Sequence, residues 1–135
     1  MEAIGADTRI GSKYLSHGFG YGGPCLPRDI DALIAYLSKM KIDNNIFKDI
    51  KQYNKIHRVL YAEYLINKND GGVINMECIS YKKGIDLFDN SEQFETIKYI
   101  VSKGYKVKIK NSTKGQREFI TKNHKGLISS ITFET

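Results

Sequence analysis

Cysteine and proline are scarce in this sequence and long apolar runs are missing, and each shortage removes a class of protein. The two cysteines, Cys25 and Cys78, lie far apart and show neither CxxC nor Cys/His ligand spacing. Neither a zinc site nor a disulfide framework is therefore indicated, and a reducing, cytoplasmic setting is expected. No stretch approaches the ~18 apolar residues of a membrane span, and the N-terminal residues lack the apolar core of a signal peptide, so no membrane partner is expected. No internal repeat or low-complexity tract is evident. The only prolines, Pro24 and Pro27, fall in one loop.

What is present is a basic chain of 135 residues, with a net charge of +6 and a pI near 9.2. That length suits one small domain or two undersized ones. The basic residues are mostly lysines spread along the whole sequence, which favours a solvated surface over nucleic-acid binding. The alternation Tyr105, Val107, Ile109 with Lys106, Lys108, Lys110 is read the same way, because no aromatic platform for stacking bases accompanies it.

A polar, glycine-ended stretch, Asn67 to Gly72, divides the chain into 1–70 and 71–135. The first part reads as helical. Ile30, Leu33, Ile34 and Leu37 recur at helical spacing, with Asp29 and Asp31 placed near the positive end of the helix dipole. Asp43 or Asn44 is expected to cap a longer helix carrying a stripe of Ile46, Ile50, Tyr53, His57, Leu60, Tyr61 and Tyr64, which must bury against something. His57 and Tyr61, one turn apart, are read first as part of that packed face. In the second part Val73 to Ser80 reads as a strand, Ser91 as the cap of a helix carrying Phe94, Ile97, Ile100 and Val101, and Gly104 as its stop. Residues 105–110 then complete a β-α-β unit, with a short helix at Gln116 to Lys122 and a strand at Gly126 to Phe133 following. The predicted class is α plus α/β: a helical first segment, then a partial parallel β-α-β, Rossmann-like domain.

The chemistry concentrates in Gly18-Phe19-Gly20-Tyr21-Gly22-Gly23-Pro24-Cys25-Leu26-Pro27-Arg28-Asp29. Glycines let backbone pass close to a ligand, and the two prolines stiffen a segment that would otherwise move. The glycine spacing at 18, 20 and 23 matches a dinucleotide fingerprint. Such a fingerprint follows a strand and opens directly into a helix, whereas here prolines interrupt and Asp7 to Leu15 shows no strand pattern. A covalent role for Cys25 fits better: a thiolate attacks a carbonyl well, Asp29 can activate water or orient a reacting group, and Arg28 adds a neighbouring positive charge. The plainer alternative is that Cys25 is a small buried apolar side chain, and no nearby histidine clearly serves as its base.

The run Gly5-Ala6-Asp7-Thr8-Arg9-Ile10-Gly11-Ser12-Lys13-Tyr14-Leu15, followed by Gly18 to Asp29, resembles the middle of nucleotide-sugar dehydrogenases of the UDP-glucose 6-dehydrogenase family. An Arg-Ile-Gly block, an aromatic-Leu pair, a GxGGxC block and an aspartate four residues after the cysteine recur with the family's spacing. Ile79-Ser80-Tyr81-Lys82, then Asp86 and Ser91, is similar to the start of the family's C-terminal domain. The resemblance implies double oxidation of a sugar C6 alcohol to a carboxylate with NAD, for polysaccharide biosynthesis. Cys25 would form the thiohemiacetal and thioester, and Asp29 would help water hydrolyse the latter. Gly18, Tyr21 and Gly22 would lie against the sugar-diphosphate, Tyr14 and Leu15 on the uracil side, and Lys82 would bind the nucleotide-sugar from the second domain. Arg9 would reach the sugar of a neighbouring subunit, and the long helix would form a homodimer.

The departures from the family are equally specific. The N-terminal NAD-binding domain, with the catalytic lysine and asparagine that follow it, is expected to precede the point where this chain begins. Cys78 stands at a usual strand glycine, Asp89 at an arginine that would meet the cofactor diphosphate, and Asn111-Ser112 at a usual Asp-Pro. An anionic Asp89 would repel a diphosphate. NAD is thus expected as the family's cofactor but not to bind this chain alone. The chain is expected to be a fragment or truncated relative, inactive by itself, with a separate NAD-binding chain as a further partner. The alternative is a noncatalytic nucleotide-sugar-binding or dimerisation module.

Overall fold

The computed structural model describes residues 2–12 and 18–134. A short helix, α1 (Glu2–Gly5), precedes the glycine loop, which leads into α2 (Leu26–Lys39) and the long α3 (Asn45–Lys68). The chain then alternates: β1 (Ile74–Met76), α4 (Glu92–Ser102), β2 (Val107–Ile109), α5 (Lys114–Asn123), a 3₁₀ turn (Lys125–Leu127) and β3 (Ile131–Phe133). The strands form one parallel sheet in the order β1-β2-β3, with Ile74 opposite Val107 and Val107 opposite Ile131. Each strand is joined to the next through a helix, as parallel neighbours require. The α plus α/β class expected from the sequence is what the chain adopts.

Local chemistry explains most boundaries. Pro27 sits in the first turn of α2, where a missing N–H costs nothing. The other end of α2 closes with Lys41 at φ 57, Lys41 N–H donating to Ser38 O and Ile42 N–H to Leu37 O. That is the Schellman arrangement, built on a lysine where glycine is usual. Ser91 Oγ caps α4 by accepting from Phe94 N–H, and Gly104, at φ +88, lets the chain turn after it. Of the two residues expected to cap α3, Asp43 is the one that does so. Asn44 precedes the helix, but its side chain turns back to donate to Ile34 O and Ser38 Oγ of α2, and Asp43 accepts from Asn45 N–H instead.

The second part also departs from the sequence expectation at its edges. The strand predicted over Val73 to Ser80 ends at Met76, because the backbone beyond is drawn into a buried polar network. Ser91 Oγ donates to Ile79 O, Gln116 Oε1 accepts from Ile79 N–H, and Gln116 Nε2 donates to Ser80 Oγ. The last strand is shorter than Gly126 to Phe133 because the 3₁₀ turn occupies its first residues. The fifth helix starts earlier, at Lys114, because Thr113 Oγ1 accepts from Gln116 N–H.

The core is made by Ile74, Met76, Ile79, Phe94, Ile97, Ile100, Val107, Ile109, Ile120 and Ile131, joined by Ala62 and Ile66 from the end of α3. The α3 stripe, expected to bury against something, is open among the described residues: Ile46 is 65%, Tyr53 70% and Leu60 63% exposed, whereas Ile97 and Ile109 are fully buried. Among the described residues no helix is long and apolar enough to cross a membrane.

Candidate functional site

The glycine loop crosses α3 and the N-terminus of α4, and both hold it. Tyr21 N–H donates to Asn54 Oδ1 at 3.0 Å, and Asn54 Nδ2 donates to Tyr21 O at 2.9 Å. Gly18 O lies 2.7 Å from His57 Nε2, which is the nitrogen that must carry the proton if the pair is a hydrogen bond. Phe19 meets Tyr61 edge to face at 5.0 Å, and Tyr61 lies between His57 and Tyr64 in a stacked row. On the α4 side Gly23 N–H donates to Asn90 O at 3.0 Å.

Close approach explains the glycines. Gly23 has φ +81, and a Cβ there would lie 2.8 Å from the Tyr81 ring. A Cβ on Gly20 would collide with the Asn54 carboxamide, and one on Gly22 with Asn90 O. These glycines are required by contacts within the protein. Their spacing therefore reports loop packing, and the N–H groups of Tyr21 and Gly23 are already spent on Asn54 and Asn90. A dinucleotide pyrophosphate would need such groups free at a helix N-terminus. Asp89, an exposed carboxylate, adds nothing favourable to a diphosphate. The glycine loop therefore does not have the form of a dinucleotide fingerprint.

Cys25 stands at the N-cap of α2 and is exposed, so the plainer expectation of a buried thiol does not hold. Cys25 O accepts from Asp29 N–H at 2.9 Å, placing the thiol and the carboxylate one helical turn apart. Arg28 donates through Nε to Asp29 Oδ1 at 2.8 Å, with Nη2 at the same distance. Arg28 is held above its ordinary pKa by that bond first and by the neighbouring Cys25 sulfur to a lesser degree. Burial pushes the thiol of Cys78 upward, which makes it the less reactive of the two.

The other expected residues are placed unevenly. Arg9 folds onto Asp7, donating to it from N, Nε and Nη2, and is highly exposed. Tyr14 and Leu15 lie outside the described residues. Lys82 is exposed, with its carbonyl accepting from Ser80 Oγ at 2.8 Å. Its neighbour Tyr81 carries the contact to the loop, and Gln93 Nε2 donates to Tyr81 O at 3.1 Å. A pocket of about 360 Å³ follows, lined by Gly18, Phe19, Gly22, Tyr61, Tyr81 and Gln93. A second of about 210 Å³, on the Tyr21 side, includes Asn54, Arg58, Asn90 and Glu92. Cys25 lines neither of these two pockets.

Asn54, Arg58 and Glu92 escaped the sequence analysis. Arg58 grips Glu92 through Nε to Oε2 at 2.7 Å and Nη2 to Oε1 at 2.6 Å, and reaches Glu95 at 3.4 Å. The one signal available was spacing: Asn54, His57, Arg58 and Tyr61 share a helix face at i, i+3, i+4 and i+7.

Residues 1–56 match the central domain of the UDP-glucose/GDP-mannose dehydrogenase family. A UDP-glucose 6-dehydrogenase of Campylobacter jejuni is 33% identical over 100 residues, which cover 74% of this chain and 25% of that protein. One from Rickettsia bellii is 34% identical over 111 residues, covering 79% and 26%. The chain thus spans about a quarter of the length of these relatives. Among solved structures, a UDP-glucose dehydrogenase of Pyrobaculum islandicum superposes with a TM-score of 0.76 at 23% identity, over 99% of this chain and 31% of that one. A ternary complex of GDP-mannose dehydrogenase from Pseudomonas aeruginosa gives 0.73 at 22%, over 98% and 32%. At those identities the superpositions establish the fold.

Proposed function

Because the chain belongs to the UDP-glucose/GDP-mannose dehydrogenase family, we propose that it forms the substrate-holding and thioester-forming portion of a UDP-glucose 6-dehydrogenase. The observation that carries this is the glycine loop, packed against α3 and α4 and ending on an exposed Cys25 one turn from Asp29. On this reading the Cys25 thiolate adds to the C6 aldehyde, and Asp29 orients the water that opens the later thioester. Gly18, Tyr21 and Gly22 bring backbone against the nucleotide-sugar, with Tyr14 and Leu15 at the base, Lys82 at the phosphates and Arg9 reaching a second subunit. Arg28, paired to Asp29 at 2.8 Å, holds that carboxylate in place.

NAD supplies the hydride acceptor in this chemistry, and its site lies in another domain or a separate chain. The division into 1–70 and 71–135, self-association through the exposed α3 stripe, a cytoplasmic setting and service to polysaccharide biosynthesis belong to the same proposal. The exposed stripe also favours a second reading, a noncatalytic dimerisation module that keeps the nucleotide-sugar loop.

Calorimetric titration of the chain with UDP-glucose and with NAD tests the proposal. Binding of the sugar-nucleotide with no heat from NAD is expected, and absence of UDP-glucose binding overturns it. Addition of an NAD-binding domain from a relative separates the two readings: restored dehydrogenation that Cys25→Ser abolishes supports the enzyme, and its absence leaves the module.

A further inference from the structure

Asn54, a residue outside the loop's own motif, holds the loop by both backbone groups of one residue. Its Oδ1 accepts from Tyr21 N–H and its Nδ2 donates to Tyr21 O, the pairing that a neighbouring strand would provide. The second hydrogen of the same amide points to Glu92 Oε1 at 3.3 Å. This fixes the orientation of the carboxamide: the opposite flip would set its oxygen against a carbonyl and a carboxylate, and its NH₂ against an N–H. Glu92 is buried at the first position of α4, where the helix dipole favours an anion, and Arg58 of α3 holds it from the other side through two short bonds. Gly20 and Gly22, on either side of Tyr21, have no room for a side chain because Asn54 and Asn90 lie against them. Tyr21 is therefore the point at which the loop, α3 and α4 meet.

We infer that Asn54 is a positioning residue for the Cys25 loop, and that the Arg58–Glu92 pair makes its grip depend on α4 remaining docked against α3. This rests on the reading that the loop binds a nucleotide-sugar. Asn54 would touch neither substrate nor the reacting atoms. It would set the backbone path from Gly20 to Gly22, three to five residues before the nucleophile, and Glu92 would orient Asn54 in turn. A change in how α4 sits on α3 would then reach the loop through three side chains, Arg58, Glu92 and Asn54.

Amide hydrogen exchange on the whole chain, run beside UDP-glucose titration, tests this with Asn54→Ala, Asn54→Asp and Glu92→Gln. In Asn54→Ala the Tyr21 amide should exchange about tenfold faster, and UDP-glucose affinity should fall by a similar factor, while amides of β2 keep their protection. In Asn54→Asp a carboxylate oxygen would face Tyr21 O and Glu92 Oε1, so the Tyr21 amide should again exchange faster and affinity should fall. Glu92→Gln, which keeps the size of the side chain, should loosen the Tyr21 amide by about threefold, and it serves if the Asn54 variants fail to fold. An unchanged Tyr21 amide in Asn54→Ala, or in Glu92→Gln if that is the variant that folds, overturns the inference. Faster exchange with unaltered UDP-glucose affinity overturns it too, since the loop would then be held for stability alone. If the unaltered chain binds no UDP-glucose while the Tyr21 amide still responds as described, the proposed function falls and the positioning of the loop by Asn54 stands.

Discussion

The helices before residue 69 and the α/β unit after it use apolar residues in opposite ways. In the α/β unit the periodic positions are where the core is: Phe94, Ile97 and Ile100 of α4 face Val107, Ile109 and Ile120 and are buried. In α2 no residue is buried, and α3 buries only Ala62 and Ile66, near its end, while Ile46, Ile50, Tyr53 and Leu60 stand in the open. The same spacing rule found both sets. Periodicity identifies a face, but what covers that face is decided by the rest of the assembly. A stripe of this length lies open on a 24-residue helix, about 36 Å long, and the proposed self-association would cover it.

The largest expected effect tests the contrast directly. Ile109→Ala removes a fully buried side chain from the central strand and should cost about 3 kcal/mol in urea denaturation. Ile46→Ala, on the open face, should stay within about 0.5 kcal/mol for the monomer. Equal losses would show that the α3 face is already covered in solution. Ile50→Asp sharpens the point: sedimentation should show weaker self-association with little change in monomer stability.

The next largest effect lies where the two regions join. Glu92→Ala strands Arg58, which keeps Glu95 at 3.4 Å and some access to water, so the loss should be about 2 kcal/mol, less than for a fully buried pair. Ser91→Ala, which removes the α4 cap and the bond to Ile79 O, should cost about 1–2 kcal/mol. Denaturant midpoints check both, and a Glu92→Ala loss below that of Ser91→Ala would mean that the loop junction carries less than the helix cap.

How much of this was legible follows from the range of the interactions. The Ser91 cap, the Gly104 stop and the alternation at 105–109 are local, and they could be read from neighbouring residues. The cysteine loop was legible because glycine and proline leave a dense local signature. The strand limits were not, since Gln116, 37 residues away, accepts from Ile79 N–H and draws the chain off the sheet. Asn44 deceived in a similar way, being a good capping residue whose amide was engaged by α2. Asn54 and Glu92 are ordinary polar residues in helices, and their meeting across 38 positions left no trace in either local sequence.

The smallest effect compares one exposed carboxylate from each region. Asp7, held by Arg9, and Glu134, held by Lys108, both lie below their ordinary pKa values of 3.8 and 4.5. The folded state thus binds their protons less readily than the unfolded state. Each contribution is complete above the ordinary value and is lost as pH falls through the lower folded one. The two should nevertheless differ. Arg9 is two residues from Asp7, so their pair persists in part when the chain unfolds and stabilises the native state little. Glu134 reaches Lys108 across 26 residues, its N–H donates to Ile109 O and its carbonyl accepts from Arg117 Nη2, so unfolding removes all of its partners. Urea midpoints from about pH 6 to about pH 3 should therefore show a flatter acid limb for Glu134→Gln than for Asp7→Asn, which should follow the unaltered chain. Equal flattening would mean that the segment around Asp7 is ordered by the rest of the fold as firmly as the end of the sheet.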